Sequence, residues 1–236
     1  MSSNSVEKET RDNYYVQTVS MENAPPPPPQ MTPYQRTYAN PAPLGMLAYG
    51  TVILCSSVLT LGAGNVHTPN LVLVFACFYG GISQTLVGMW EMFLGNTFSA
   101  TVFTTYGGFN FSYGALYLPQ IGIAAAYSVD GVPTEEFYHA IGIYLSIWCL
   151  ITFLFAVGAL RTTLPIVCTL GFTVVSLGFL AGNAFTGNTH LATAGGAFGV
   201  IAAFGAYYGT MSMFWTQTTT FSFIRLPPLV TAPSNV

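Results

Sequence analysis

The chain has 236 residues, of which 52% are hydrophobic and 15% aromatic but only 6% charged, with a formal net charge of −3. Soluble domains carry about 25% charged residues, so a water-facing surface cannot be built from this composition and lipid must supply much of the solvent. No basic patch exists for nucleic acid. The four cysteines (Cys55, Cys77, Cys149, Cys168) fall in four separate apolar runs without metal-ligand spacing, and read as small buried hydrophobes.

Residues 1–38 are polar and open on "MSSNSVEKETRDNYY", without the apolar core of a signal peptide. "APPPPPQ" favours a solvated polyproline II stretch. An SH3- or WW-type ligand, or a phosphorylated segment, is one reading of this tail; a disordered cytosolic tail is the favoured one.

Six apolar segments then have the length to cross a bilayer: 43–61, 71–94, 97–118, 137–160, 164–185 and 191–214. Turn-forming sequences separate them, including "GAGNVHTPN", "LGN", "SVDGVP" and "TGNTH". In the first, "NPAP" places Pro43 where a helix loses no hydrogen bond, and Asn40 can cap that helix or turn its amide toward a pathway. In the second, Gln84 and Glu91 lie seven residues apart on one helical face. Glu91 is the only acid inside a span; it reads either as a proton-linked carboxylate at a pore mouth or as a carboxylate at the interface.

The third segment is the most polar, with Thr104, Thr105 and Tyr106 followed by Gly107 and Gly108. Adjacent glycines there permit either an unwound turn or close helix packing, and packing is the favoured reading. Asn96 or Thr97 can cap its start. "IGIAAAY" in the connection after it is a short apolar piece suited to the interface. The sixth segment carries a ridge of Gly195, Gly199, Ala202, Ala206 and Gly209, an interface either within the subunit or between subunits. The end, 215–236, reads as a short unstructured cytosolic tail. With six spans and the N-terminus inside, Lys8, Arg11, Arg36, Arg161 and Arg225 all fall on the cytoplasmic side.

Absences narrow the chemistry. The only lysine is Lys8, and His67, His139 and His190 sit near span ends, which argues against a retinal Schiff base or a mid-membrane heme. Neither an HExxH sequence, a catalytic triad arrangement nor a Walker A sequence occurs. The expectation is a protein without cofactor, metal or enzymatic activity. Its neutral hydroxyl, amide and phenol interior suits a small polar solute or a weak acid.

"NPAPLGM" followed by "LAYG", then "FYGGISQTLVGMWEMFLGNTFSATVFTTYGGF", and more weakly "AGNAF" with Asn183, stand in order along residues 39–214. These blocks resemble the acetate uptake transporter family, the succinate–acetate permeases of bacteria and their fungal relatives. The long proline-rich tail is similar to the fungal members. The resemblance implies an all-α integral membrane protein, a six-helix protomer (39–214) assembled as a homohexamer in the plasma membrane. Each protomer would have its own path for acetate and related small carboxylates, succinate, lactate and formate among them.

The signature motif is carried by Asn40, Pro41, Ala42, Pro43, Leu44 and Gly45. A constriction is implied at Tyr49, Tyr106 and Phe172, where the family usually has Phe at the first position and Leu at the last. Asn40, Leu44, Gln84, Thr104, Thr105 and Asn183 complete the implied pathway, and Glu91 is the candidate for proton linkage. The acid could cross as an anion held by donors or in protonated form. A membrane acid sensor without transport, and an ammonia channel, are the alternatives.

Overall fold

The computed structural model describes residues 38–66 and 70–232. The expectations for the proline-rich tail, its basic residues and His67 lie outside them. The chain divides into two compact units, Met1–Ala39 and Asn40–Val236. Of the first, only Tyr38 and Ala39 are described, both without regular structure. All that follows concerns the second.

It is built from six long helices: α1 Ala42–Thr60, α2 Leu71–Phe93, α3 Thr97–Leu116, α4 Glu135–Gly158, α5 Leu164–Thr186 and α6 Thr189–Phe214. All but α3 are both long and apolar enough to cross a membrane. At 20 residues α3 has the length, about 30 Å at 1.5 Å per residue, but its threonines, asparagine and glycines dilute its hydropathy.

Local sequence explains most of the boundaries. Pro43 stands in the first turn of α1, and the Asn40 side-chain oxygen accepts from the Ala42 N–H at 3.0 Å. Asn96 caps α3, accepting from the Ser99 N–H at 3.2 Å. α5 ends on Gly187 in the left-handed conformation. Within α2 the backbone widens into a π-type turn over Phe75–Gly81. α3 runs unbroken through Gly107 and Gly108. Between α3 and α4 stand a one-turn helix, Ile123–Ala126, and a hairpin pairing β1 (Ser128–Val129) with β2 (Val132–Pro133). Its turn residues Asp130 and Gly131 both have positive φ, as a tight hairpin requires.

The helices pack as a ring: α1 lies against α2 and α6, α2 against α3, α4 against α5, and α5 against α6. The small-residue ridge of α6 is used inside this ring. Gly195 faces Leu180 and Ser176 of α5, Gly199 faces Ser57 and Ser176, and Gly209 faces Met46 of α1. The ring closes between α3 and α4, whose contact is looser than that of any other pair of neighbours around it and is bridged by aromatic side chains: Phe109 stacks on Tyr144 at 6.1 Å and meets Trp148 edge-on at 4.8 Å. Outward faces carry large apolar side chains such as Phe78, Leu86, Leu150 and Phe204, suited to lipid.

The C-terminal segment departs from the expectation of an unstructured tail. Leu229 to Thr231 lie along the α4–α5 junction: the Leu164 N–H donates to the Leu229 carbonyl at 2.7 Å, and the Thr231 hydroxyl donates to the Leu160 carbonyl at 2.8 Å. Two prolines, 227 and 228, hold the approach extended, and the junction's free carbonyls and N–H groups supply the partners.

α2 and α3 owe their close contact to glycine. A Cβ on Gly88 would collide with the hydroxyl and backbone nitrogen of Thr104, and one on Gly107 with those of Thr85. Gly88→Ala is therefore expected to destabilise the bundle by about 1–3 kcal/mol, the usual range for overpacking. The check is the thermal midpoint of the purified protein in detergent, with Gly108→Ala as the control. The space at Gly108 is open, so that variant should keep the wild-type midpoint.

Candidate functional site

Two cavities lie inside the ring. The larger, about 530 Å³ and named the outer cavity for the hairpin end of the ring, is lined by Tyr117, Pro133, Asn183, Asn110, Trp148 and Ser176 among others. The inner one, about 280 Å³, is lined by Asn40, Glu91, Asn96, Ser99 and Met213, with Ile166, Thr169 and Leu170 from α5. The outer volume is in the common range for ligand pockets, roughly 300–1,000 Å³. Two residues belong to both linings, Tyr49 and Tyr106. Their rings meet edge to face at 4.9 Å, so the cavities are separated by a pair of phenols.

That pair is held from behind. Tyr49 Oη lies 2.6 Å from Thr173 Oγ1 of α5, and Tyr106 Oη donates to Thr152 Oγ1 of α4 at 3.0 Å. Thr152 is fully buried and Thr173 nearly so. Phe155 meets Tyr106 edge-on at 5.9 Å, and Leu170 packs into the same apolar cluster, against which Tyr49 also lies. Desolvated hydroxyl pairs of this kind fix the ring orientations, because leaving either partner unpaired in the bilayer core is costly.

The residues singled out from the sequence separate into two groups. Asn40, Tyr49, Tyr106, Glu91 and Asn183 line one or both cavities. Leu44, Gln84, Thr104, Thr105 and Phe172 line neither. Leu44 is on the outward face of α1. Gln84 is buried between α2 and α3, where its side-chain oxygen accepts from Asn110 Nδ2 at 2.7 Å. Thr104 packs on Gly88.

Phe172 stacks on Phe198 of α6 with ring centroids 6.1 Å apart. It sits one residue from Thr173, about 100° around the helix at 3.6 residues per turn, and so turns away from the cavities. Leu170, two positions earlier, lines the inner cavity and packs in the same apolar cluster as the two phenols.

The cavity linings also contain residues that the motif reading passed over, Thr169, Thr173, Ser176 and Asn110, and Thr152 stands behind Tyr106. A signal for the α5 members was present. Residues 169, 173, 176, 180 and 183 recur at intervals of three and four, the period of one helical face. Among the described residues no group of His, Cys, Asp and Glu is placed to hold a metal ion.

Comparison with known proteins places these features in context. Acetate permease A of Emericella nidulans is 32% identical over 207 residues, covering 85% of this chain and 70% of the permease. Ammonia transport outward protein 2 of Saccharomyces cerevisiae is 35% identical over 198 residues, 84% of this chain and 68% of that protein. The chain spans between 58% and 70% of the length of the fungal relatives it matches. Among solved structures, the bacterial acetate channel SatP matches with a TM-score of 0.65 at 29% identity, over 75% of this chain and 92% of SatP. The GPR1/FUN34/yaaH family model covers residues 24–231, all of the ring and its joining segments, and the chain belongs to that family.

Proposed function

We propose that this protein moves acetate and related small carboxylates across a membrane along the two cavities, past a constriction formed by Tyr49, Tyr106 and Leu170. The supporting observation is that both cavities end on the same two phenols, with apolar walls that a small acid can pass only after shedding its water. α3 is taken as a sixth span on its length. The protomer is taken to form a homohexamer in the plasma membrane, each copy with its own path and with both termini cytoplasmic. This topology puts the inner cavity, with Glu91, toward the cytoplasm. The name of the yeast relative favours a second reading, ammonia conduction through the same path. Flux of labelled acetate above protein-free vesicles separates the two, since an ammonia channel would carry none.

The constriction is tested by its third member. Leu170→Ala is expected to raise lactate flux relative to acetate on the order of tenfold, the discrimination available from one or two methylenes in an apolar pocket. Phe172→Leu should leave that ratio as in the wild type. The opposite ranking would move the constriction back to Phe172.

Glu91 is 3% exposed and lines the inner cavity, where it is placed to take a proton from an acid leaving the constriction. In vesicles of known orientation, Glu91→Gln is expected to abolish the dependence of uptake on inner pH while the dependence on outer pH persists. Unchanged sensitivity to inner pH would remove Glu91 from proton linkage.

A further inference from the structure

Hydrogen bonds have a direction, and around the constriction it can be followed. Thr173 has a single hydroxyl proton, which it gives to the Thr169 carbonyl oxygen at 2.7 Å. In the 2.6 Å contact between Thr173 Oγ1 and Tyr49 Oη, Tyr49 is therefore the donor. Tyr106 gives its proton to Thr152 Oγ1. On the outer side, Asn110 gives both amide hydrogens away, one to Gln84 Oε1 at 2.7 Å and one to the Tyr106 carbonyl at 3.0 Å. Ser176 donates to the Gly195 carbonyl at 2.7 Å. Each of these groups keeps lone pairs and has no proton left for a solute.

The two cavities are different farther from the phenols. In the inner one, the Asn40 oxygen is occupied by the Ala42 N–H, which leaves its amide hydrogens free. Ser99 Oγ accepts from Asn96 Nδ2 at 2.9 Å and keeps its own proton. In the outer one, the Asn183 amide has no side-chain partner among the described residues. Thr169 also lines the inner cavity with a buried hydroxyl that has no partner, but that oxygen is packed against Gly205 of α6. Among the groups bonded to the two phenols or flanking them on the outer side, Tyr49, Tyr106, Thr173, Asn110 and Ser176 have committed their protons, and the free donors at Asn40, Ser99 and Asn183 stand farther away.

We infer that Thr152 and Thr173 are specificity-determining residues: by taking the hydroxyl protons of Tyr106 and Tyr49, they leave a constriction of acceptors that admits a short carboxylic acid in its neutral form and rejects its carboxylate. The inference rests on the transport reading above and names the form of the solute that crosses. A carboxylate is acceptor-only. Among desolvated acceptors neither it nor they find a partner, which is the costly arrangement for buried polar groups. The neutral acid has one O–H to donate, and a phenol oxygen or the Asn110 carbonyl can receive it. The O–H bond stays intact through the constriction and breaks in the inner cavity, so one acid molecule outside becomes one carboxylate and one proton inside.

The titratable side chains facing the constriction are Tyr49 and Tyr106 themselves, Cys149 of α4 within electrostatic reach of Tyr106, and Glu91 in the inner cavity. The phenols and the thiol carry no charge at neutral pH in their unperturbed form, so none supplies a positive group to hold an anion.

The experiment is uptake of labelled acetate by the reconstituted full chain, corrected for protein-free vesicles, against outer pH and against an imposed membrane potential. For the wild type, the rate at fixed total acetate should fall about tenfold per pH unit above the acid's own titration range near 4–5, with no response to potential. Thr152→Val releases the Tyr106 proton toward the path, and a potential-sensitive flux that persists at neutral pH is expected to appear. Thr152→Ser, which restores the acceptor, should return the wild-type profile.

A wild-type flux that follows the anion and responds to potential overturns the inference while leaving acetate transport standing. A Thr152→Val profile identical to wild type overturns the role of the threonine. Should that variant fail to fold, the wild-type profile still decides which form crosses. No flux above protein-free vesicles sinks both the inference and the transport reading.

Discussion

A hydroxyl or amide in the hydrocarbon core has no water to bond with, so its partner must be protein, and this requirement organises the interior of the ring. Many hydroxyls meet it locally, donating to a carbonyl one turn back, as Ser146 does to Gly142 and Thr210 to Ala206. Those bonds are silent: they dispose of a proton and leave the helix face nearly apolar. The remaining bonds run between helices and carry the architecture. Tyr49 ties α1 to α5, Tyr106 ties α3 to α4, Gln84 and Asn110 tie α2 to α3, and Ser176 ties α5 to α6. Thr51 with Tyr207 ties α1 to α6, Ser112 with Tyr144 adds a second tie between α3 and α4, and Cys149 donates from α4 to the Val174 carbonyl of α5. Two of these ties, those of Tyr49 and Tyr106, are made by the phenols shared by both cavities.

Close backbone approach supplies the other half of the arrangement. Glycines at 50, 88, 107, 195, 196, 199, 205 and 209 each leave too little space for an unadjusted side chain, and their neighbours come in to fill it. Dispersion between closely packed backbones is the main attraction open to helices in lipid, since burying apolar surface gains little there. The consequence is an asymmetric ring. α1, α5 and α6 are drawn tightly together, as are α2 and α3, whereas α3 and α4 are kept apart by the rings of Phe109, Tyr113, Tyr144 and Trp148. The outer cavity lies beside that aromatic seam.

Much of this was legible in the sequence because the governing patterns are local. Apolar length located the segments, Asn96 announced the α3 cap, and Pro43 announced the start of α1. What was not legible depends on rotation about a helix axis. Leu44 and Gly45 are adjacent in the signature motif, yet one faces outward and the other packs under Phe103. Phe172 and Thr173 divide in the same way. Motif position alone does not reveal that Phe172, Leu44, Thr104 and Thr105 line neither cavity, whereas the period of three and four along α5 follows the face that does. Nor could the pairing of Gln84 with Asn110 be seen, since the two are 26 positions apart and their contact depends on how α2 crosses α3. The C-terminal segment was misread for a related reason: its partners are backbone groups at a helix junction, which composition does not reveal.

The same consideration bears on the tyrosine at position 49, where the family resemblance leads one to expect Phe. A bare phenol hydroxyl in a dehydrated constriction would be both an unpaired donor and a foothold for an anion. Thr173 removes both problems at once, because its own proton is already engaged with the Thr169 carbonyl and it can only accept. The exchange of Phe for Tyr thus adds an oxygen to the path without adding a donor. It also adds an interhelical bond between α1 and α5 that a phenylalanine could not make. A phenol between the two cavities keeps no free proton when an acceptor stands behind it, and Tyr106 likewise gives its proton to a threonine hydroxyl, Thr152 of α4.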